Sequence, residues 1–250
     1  MESVCPFALD GKQILVTGAS SGIGKAIAIA CSAMGGKVII TGRNEERLNQ
    51  TLCKMTSDGH MVVPADLTRG DDIVRLVKGL PKLDGIVHCA GIGSRIRCAD
   101  VRREDIDNVM EVNFTAPVLL QASILANKRL NREASIVFIA SRAYEAPSFG
   151  NAVYSASKGA LVSYSKCLAL ELSSRQIRVN CICPGMIWTD LITKTLDEKD
   201  LIQAEQAYPL KRFGRVDDVA NLAVYLLSNA SSWMTGSAID LSGGGEGLLV

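Results

Sequence analysis

Short β-branched runs alternate with helical stretches along almost all of this 250-residue sequence, and that alternation limits the fold more than any other feature. Ile14-Leu15-Val16-Thr17, Lys37 to Thr41, His60 to Pro64, Gly85 to Cys89, Ser135 to Ala140, Ile177 to Ile182 and Ala238 to Leu241 read as strands. Gly24 to Met34, a segment opened by Asn44 as N-cap, Asp71 to Lys78, Arg103 to Ala126, Val153 to Ser173 and Val216 to Ser228 read as helices, with Gly35-Gly36 as C-cap of the first. Continuously apolar strands belong in a sheet buried on both faces, and regular alternation with helices makes that sheet parallel. The expected fold class is α/β, a single domain over residues 1–250. Its doubly wound parallel sheet should have about seven strands, with helices on both faces. Right-handed crossovers place ligands at the carboxyl ends of such strands.

Composition narrows the function. Twenty-seven basic residues against 26 acidic give a net charge of +1, without the electrostatic footprint of a nucleic-acid binder. No apolar run approaches the roughly 20 residues that span a bilayer. Met1-Glu2-Ser3-Val4-Cys5-Pro6 has no basic n-region, so no secretory signal is expected. A soluble, cytoplasmic protein with no membrane partner is the expectation. Cys5, Cys31, Cys53, Cys89, Cys98, Cys167, Cys181 and Cys183 are scattered without a C-x-x-C pair and read as free, mostly packing thiols. Cys181 and Cys183 alternate along an apolar run and should face one side of a strand. With only His60 and His88 besides, no metal site is expected.

Thr17-Gly18-Ala19-Ser20-Ser21-Gly22-Ile23-Gly24 joins the first strand to the first helix. A Walker loop fails, because Gly18 has five residues before Gly24-Lys25 and Ala26 follows. A nucleophile elbow matches at Gly18-Ala19-Ser20-Ser21-Gly22, but no histidine follows His88 to complete a hydrolase triad. Two readings stay open. The loop either cradles a dinucleotide pyrophosphate with helix N-terminal amides, or is a glycine-rich packing turn.

The loop resembles the T-G-x-x-x-G-x-G cofactor motif of the short-chain dehydrogenase/reductase family. The resemblance runs over nearly the whole chain: Asp66-Leu67 matches the pair that contacts adenine, and Cys89-Ala90-Gly91 stands where Asn-Ala-Gly is usual. Glu111-Val112-Asn113 with Ala116-Pro117 resembles the fourth-helix motif, and Pro184-Gly185 through Thr189 the loop over the nicotinamide. The resemblance implies a Rossmann fold and an oxidoreductase that moves hydride between a nicotinamide and a ketone or secondary alcohol. It implies cofactor contacts from Gly18, Ser20, Ser21, Gly22, Ile23, Gly24, Arg43, Asp66, Leu67, Ala90, Gly91, Tyr154, Lys158, Pro184, Gly185, Ile187 and Thr189.

The family's catalytic serine, tyrosine, lysine and asparagine match Ser141, Tyr154, Lys158 and Asn113. Tyr154 and Lys158 are four residues apart and so share a helix face. A phenol ordinarily titrates near 10, so proton transfer near neutrality needs about 4 kcal/mol of assistance. An exposed ion pair supplies at most about 1 kcal/mol, so the ammonium has to act in a desolvated place. By the resemblance Lys158 also bonds the nicotinamide ribose, Ser141 stabilises the substrate oxygen, and Asn113 holds a water linking Lys158 to solvent.

The second strand ends Ile40-Thr41-Gly42-Arg43, with Gly42 where an acid would hold a ribose 2′-hydroxyl and an arginine next to it. An arginine fork suits a 2′-phosphate, so NADP(H) is preferred and NAD(H) second. Within the resemblance the 3-oxoacyl-acyl-carrier-protein reductases are nearest, with Lys128-Arg129 as a patch for the acidic carrier, although Leu168-Ala169-Leu170-Glu171 has leucine where arginine is common. A stand-alone carbonyl or sugar-ketone reductase is the alternative. Residues 186–209, including Ile187, Trp188, Leu191, Ile192, Lys194, Asp197, Glu198 and Lys199, form the substrate-gating region of the resemblance, and Arg95, Arg97, Arg142 and Tyr144 could also face substrate. A dinucleotide-sensing regulator without turnover would be expected to lack the tyrosine or the lysine; both are present. The two long helices, by resemblance, pair across subunits of a homotetramer.

Overall fold

A computed structural model describes residues 5–189 and 198–245. Among these, seven strands form one sheet: β1 Gln13–Thr17, β2 Lys37–Gly42, β3 Met61–Pro64, β4 Leu83–His88, β5 Leu130–Ile139, β6 Arg178–Pro184 and β7 Ala238–Leu241. Every neighbouring pair is parallel, in the order β3-β2-β1-β4-β5-β6-β7. The order reverses between β1 and β4, which opens a crevice beyond their carboxyl ends. The helices are α1 Gly22–Ala33, α2 Glu45–Leu52, α3 Gly70–Gly79, α4 Arg103–Met110, α5 Ala116–Ala126, α6 Ala152–Glu171, α7 Glu198–Ala207 and α8 Val216–Leu227.

Alternate residues of each central strand enter opposite cores, as a sheet buried on both faces requires. Leu15, Ile136 and Phe138 pack with Leu76, Leu120, Ile124, Leu161 and Leu168 on the α3–α6 side. Ile14, Val16, Val137 and Ile139 pack with Ile27, Cys31, Val219 and Leu226 on the α1–α8 side. Cys181 and Cys183 face the first core and Ile182 the second, as the alternation predicts. Burial pushes both thiols up, to about 11 and about 12, which keeps them protonated packing groups. The Arg47 amide donates to Asn44 Oδ1 at 2.9 Å, so α2 has its expected cap.

Two expectations are corrected, and one region gains an element. β5 begins at Leu130 rather than Ser135, past a register shift against β4 and with Glu133 at φ +61°, so its polar start hides the strand. Within the gating region α7 is helical, with Leu201 and Ala204 buried on it and Tyr208 buried just past its end; Leu191, Ile192, Lys194 and Asp197 lie outside the described residues. The continuous helix Arg103–Ala126 is, by length and composition, apolar enough to cross a bilayer, against the expectation that no segment would be. Its Val109, Ala116, Leu120 and Ile124 are buried in the protein.

Candidate active site

The glycine loop is built for close backbone approach. Gly18 has φ +66°, and a Cβ placed there would come within 2.9 Å of the Ala90 backbone. A Cβ on Gly24 would lie 2.4 Å from the Gly18 carbonyl oxygen, so any side chain there would push α1 off the loop. Thr17, buried at the end of β1, accepts from the amides of Cys89 and Ala90 at 3.0 and 3.1 Å and pins the turn after β4 beside the loop. The side chain of Ser21 makes no capping hydrogen bond, and no acid sits in the first turn of α1. The positive end of α1 therefore faces the crevice uncompensated by an acid, which fits a pyrophosphate.

At the end of β2, Gly42 leaves Ser20 Oγ 3.5 Å from where a Cβ would stand, and Arg43 is exposed. Asp66, just after β3, accepts from the Thr68 hydroxyl and amide at 2.8 and 3.1 Å. The Thr68 hydroxyl bond, more than the charges of Arg43 and Arg69, holds this carboxyl below its usual range. Leu67 beside it is buried. The end of β2 thus carries an arginine, near enough to Asp66 to act on its charge, where an acid would stand, and these groups fit the adenosine side of a nicotinamide dinucleotide.

The reacting groups meet at the ends of β4 and β5. The helix Arg103–Ala126 widens into a π turn over Glu111–Thr115. Pro117 has no N–H for the Asn113 carbonyl, and so breaks the α-helical ladder at this point. The turn drives Asn113 into the interior, where Oδ1 accepts from the Ile92 amide at 2.8 Å and Nδ2 donates to the Ile92 carbonyl at 2.9 Å and Ser157 Oγ at 3.1 Å. A Cβ on Gly91 would lie 3.2 Å from Asn113 Oδ1 and 3.3 Å from Lys158 Nζ, so glycine is what lets amide and ammonium converge. Lys158 is 5% exposed; its Nζ donates to the Ile139 carbonyl at 3.0 Å and lies 5.8 Å from the centre of the Tyr154 ring. The desolvated setting asked of that ammonium is present. Ser141, two residues past β5, accepts from the Ala143 amide at 3.2 Å; it and Tyr154 are both partly exposed.

The first residues after β6, up to Thr189, lie beside the crevice. The Gly185 amide donates to the Leu241 carbonyl at 3.0 Å, and Pro184 ends β6. The Ile187 side chain is buried in the core, and a Cβ on Gly22 would meet Thr189 Cγ2 at 3.6 Å. Thr189 thus stands against the glycine loop.

Several flanking groups prove engaged elsewhere. Arg142 is paired with Glu145 and, at 2.7 Å, with Asp240 on β7; Arg97 is paired with Asp100 at 2.7 Å. His88 bonds Gln121 Oε1 at 3.0 Å and stacks on Phe138, and burial pushes it down to about 4, so it is a neutral packing group. Burial likewise pushes the Cys89 thiol up to about 12. The sequence reading missed Thr17, Ile92 and Ser157 as supports. Thr17 carried a signal in its place before Gly18, but Ile92 and Ser157 carry none, being 21 and 44 positions from Asn113.

Residues 18–246 match the family model described as Enoyl-(Acyl carrier protein) reductase. The chain is 36% identical over 236 residues to the 3-oxoacyl-(acyl-carrier-protein) reductase of Rickettsia felis, covering 94% of this chain and 97% of that one. It is 35% identical over 239 residues to the L-xylulose reductase of Caenorhabditis elegans, covering 93% and 95%. A protein of Beutenbergia cavernae solved with bound NADP at low occupancy superposes with a TM-score of 0.87 at 29% identity, covering 96% of this chain and 98% of that one. With that sheet order, those motifs at its strand ends and these relatives, the chain belongs to the short-chain dehydrogenase/reductase family of oxidoreductases.

Proposed function

We propose that the chain is an NADP(H)-dependent reductase of ketones, with Tyr154 as proton donor, and that a 3-oxoacyl thioester is the first substrate to try. The observation that carries this reading is the buried Lys158 ammonium beside a half-exposed Tyr154 at the ends of β4 and β5. A nicotinamide dinucleotide held by Gly18 to Gly24, Asp66, Ala90, Gly91 and Thr189 would supply the hydride. Tyr154 gives its hydroxyl proton to the carbonyl oxygen as that oxygen gains charge. Lys158 stabilises the phenolate left behind, strongly because water is excluded around it. Ser141 donates a hydrogen bond to the same substrate oxygen. The Asn113 side chain is committed to Ile92 and Ser157, so a water relaying protons to Lys158 falls to its main-chain carbonyl.

The Rickettsia felis relative favours the acyl thioester. A second reading, a stand-alone reductase of small or sugar ketones, has an observation in its favour beyond the Caenorhabditis elegans relative. Lys128 and Arg129 precede β5, at the end of the sheet opposite Ser141, and Arg129 Nη2 donates to the Lys78 carbonyl at 2.9 Å. A carrier docked there would have to serve another subunit's site. A homotetramer would provide one; Leu119 on α5 and Leu170 on α6, 51% and 78% exposed, support pairing through the long helices. Free thiols at Cys5, Cys53, Cys98 and Cys167 on the surface are in keeping with the reducing cytoplasm.

A ketone screen at 340 nm, with a 3-oxoacyl thioester and a ketose included, tests substrate and cofactor together. The ratio of kcat/KM for NADPH over NADH is expected to be about tenfold or more, from one charge-assisted phosphate contact, and Arg43→Ala should narrow it. Equal or better use of NADH would refute the NADP assignment.

A further inference from the structure

Glu205, on α7, lies outside every motif of the sequence. One of its oxygens, Oε1, accepts two hydrogen bonds of 2.9 Å, from the Trp188 indole N–H and from the Phe213 amide. Those two donors flank a small parallel bridge in which Ile187 pairs with Gly214; the Gly214 amide donates to the Met186 carbonyl and the Trp188 amide to the Gly214 carbonyl, each at 2.9 Å. Around it Leu201, Ala204, Tyr208 and Phe213 make a third apolar cluster with Met186 and Trp188 against it, and the Trp188 and Tyr208 rings both contact Phe213. The next residue along the chain is Thr189, the one that stands against Gly22.

We propose that Glu205 is a positioning residue for the dinucleotide: its carboxylate clasps the indole of Trp188 to the Phe213 backbone and so holds Thr189 against the glycine loop. The proposal rests on the reading that this loop takes the cofactor. A carboxylate suits the task because its oxygen accepts two bonds at once and a charged acceptor strengthens both. Apolar packing alone would hold α7 near the bridge but would leave the indole N–H and the Phe213 amide without a partner, and the ring free to turn.

The test is NADPH titration followed by nucleotide fluorescence, alongside steady-state kinetics, on the full chain and three variants. Binding by the unaltered chain is the control for the cofactor reading itself; its absence would sink that reading and not the clasp in particular. Glu205→Ala is expected to weaken NADPH binding about tenfold, the loss of a charge-assisted bond, while kcat at saturating NADPH falls far less. Trp188→Phe keeps the packing but loses the N–H, and should weaken binding in the same direction. The double variant should be no worse than Glu205→Ala alone, since both break one contact. Glu205→Gln retains an acceptor oxygen and should restore most of the affinity. Wild-type affinity in Glu205→Ala or Trp188→Phe, additive losses in the double variant, or failure of Glu205→Gln to recover binding would each overturn the clasp.

Discussion

Tyr154→Phe is expected to lower kcat about 10³-fold, the usual worth of a positioned general acid, while NADPH still binds. The phenyl ring keeps its packing on α6, and neither the glycine loop nor the Lys158 bond to Ile139 depends on the hydroxyl. Fluorescence titration should show near-normal nucleotide binding in a protein that no longer consumes NADPH with a competent ketone. Undiminished turnover would remove the phenol from the mechanism, and loss of binding together with turnover would mean the change acts through the fold.

Lys158→Met is expected to damage both steps. Removing a sheltered cation next to developing negative charge costs about 10²- to 10³-fold in kcat, and loss of the proposed ribose contact should raise KM for NADPH as well. Stability should hardly follow. The substitution leaves the buried Ile139 carbonyl unpaired, a penalty of about 1–3 kcal/mol, but it also removes the several kcal/mol it costs to keep an ammonium out of water. The two offset, so the melting temperature should move by only a few degrees, as a net ~1 kcal/mol does at this chain length. A melting temperature that collapses would mean Lys158 is mainly a structural group.

Much of this was legible in the sequence because it is local. Apolar runs of strand length place β1, β2, β4, β6 and β7 within a residue or two, and Asn44 marks the start of α2 by chemistry that acts over three residues. The same holds for Tyr154 and Lys158, which one turn of helix brings together whatever the rest of the fold does. What stayed hidden depends on partners far along the chain. Asn113 is fixed by Ile92 and Ser157, and Arg142 is neutralised partly by Asp240, 98 positions away. No pattern near either residue encodes those meetings. α7 is hidden differently: Leu201 and Ala204 lie buried one turn apart, but the helix is short and Ile202 beside them is exposed, so no clean apolar face marks it. The start of β5 is masked by Asn131, Arg132 and Glu133, polar residues that a bulge tolerates at the sheet's margin.

In the proposed reaction, hydride reaches a carbonyl carbon at the crevice where Gly18, Gly91, Tyr154 and Lys158 converge. NADPH deuterated at the nicotinamide C4, given with the ketone that performs best in the screen, follows that hydride. The product alcohol should carry deuterium on its carbinol carbon, seen by NMR, with the hydroxyl proton drawn from solvent. Nucleotide that binds and stabilises the protein while no ketone is reduced, or an alcohol that forms without the label, would contradict it.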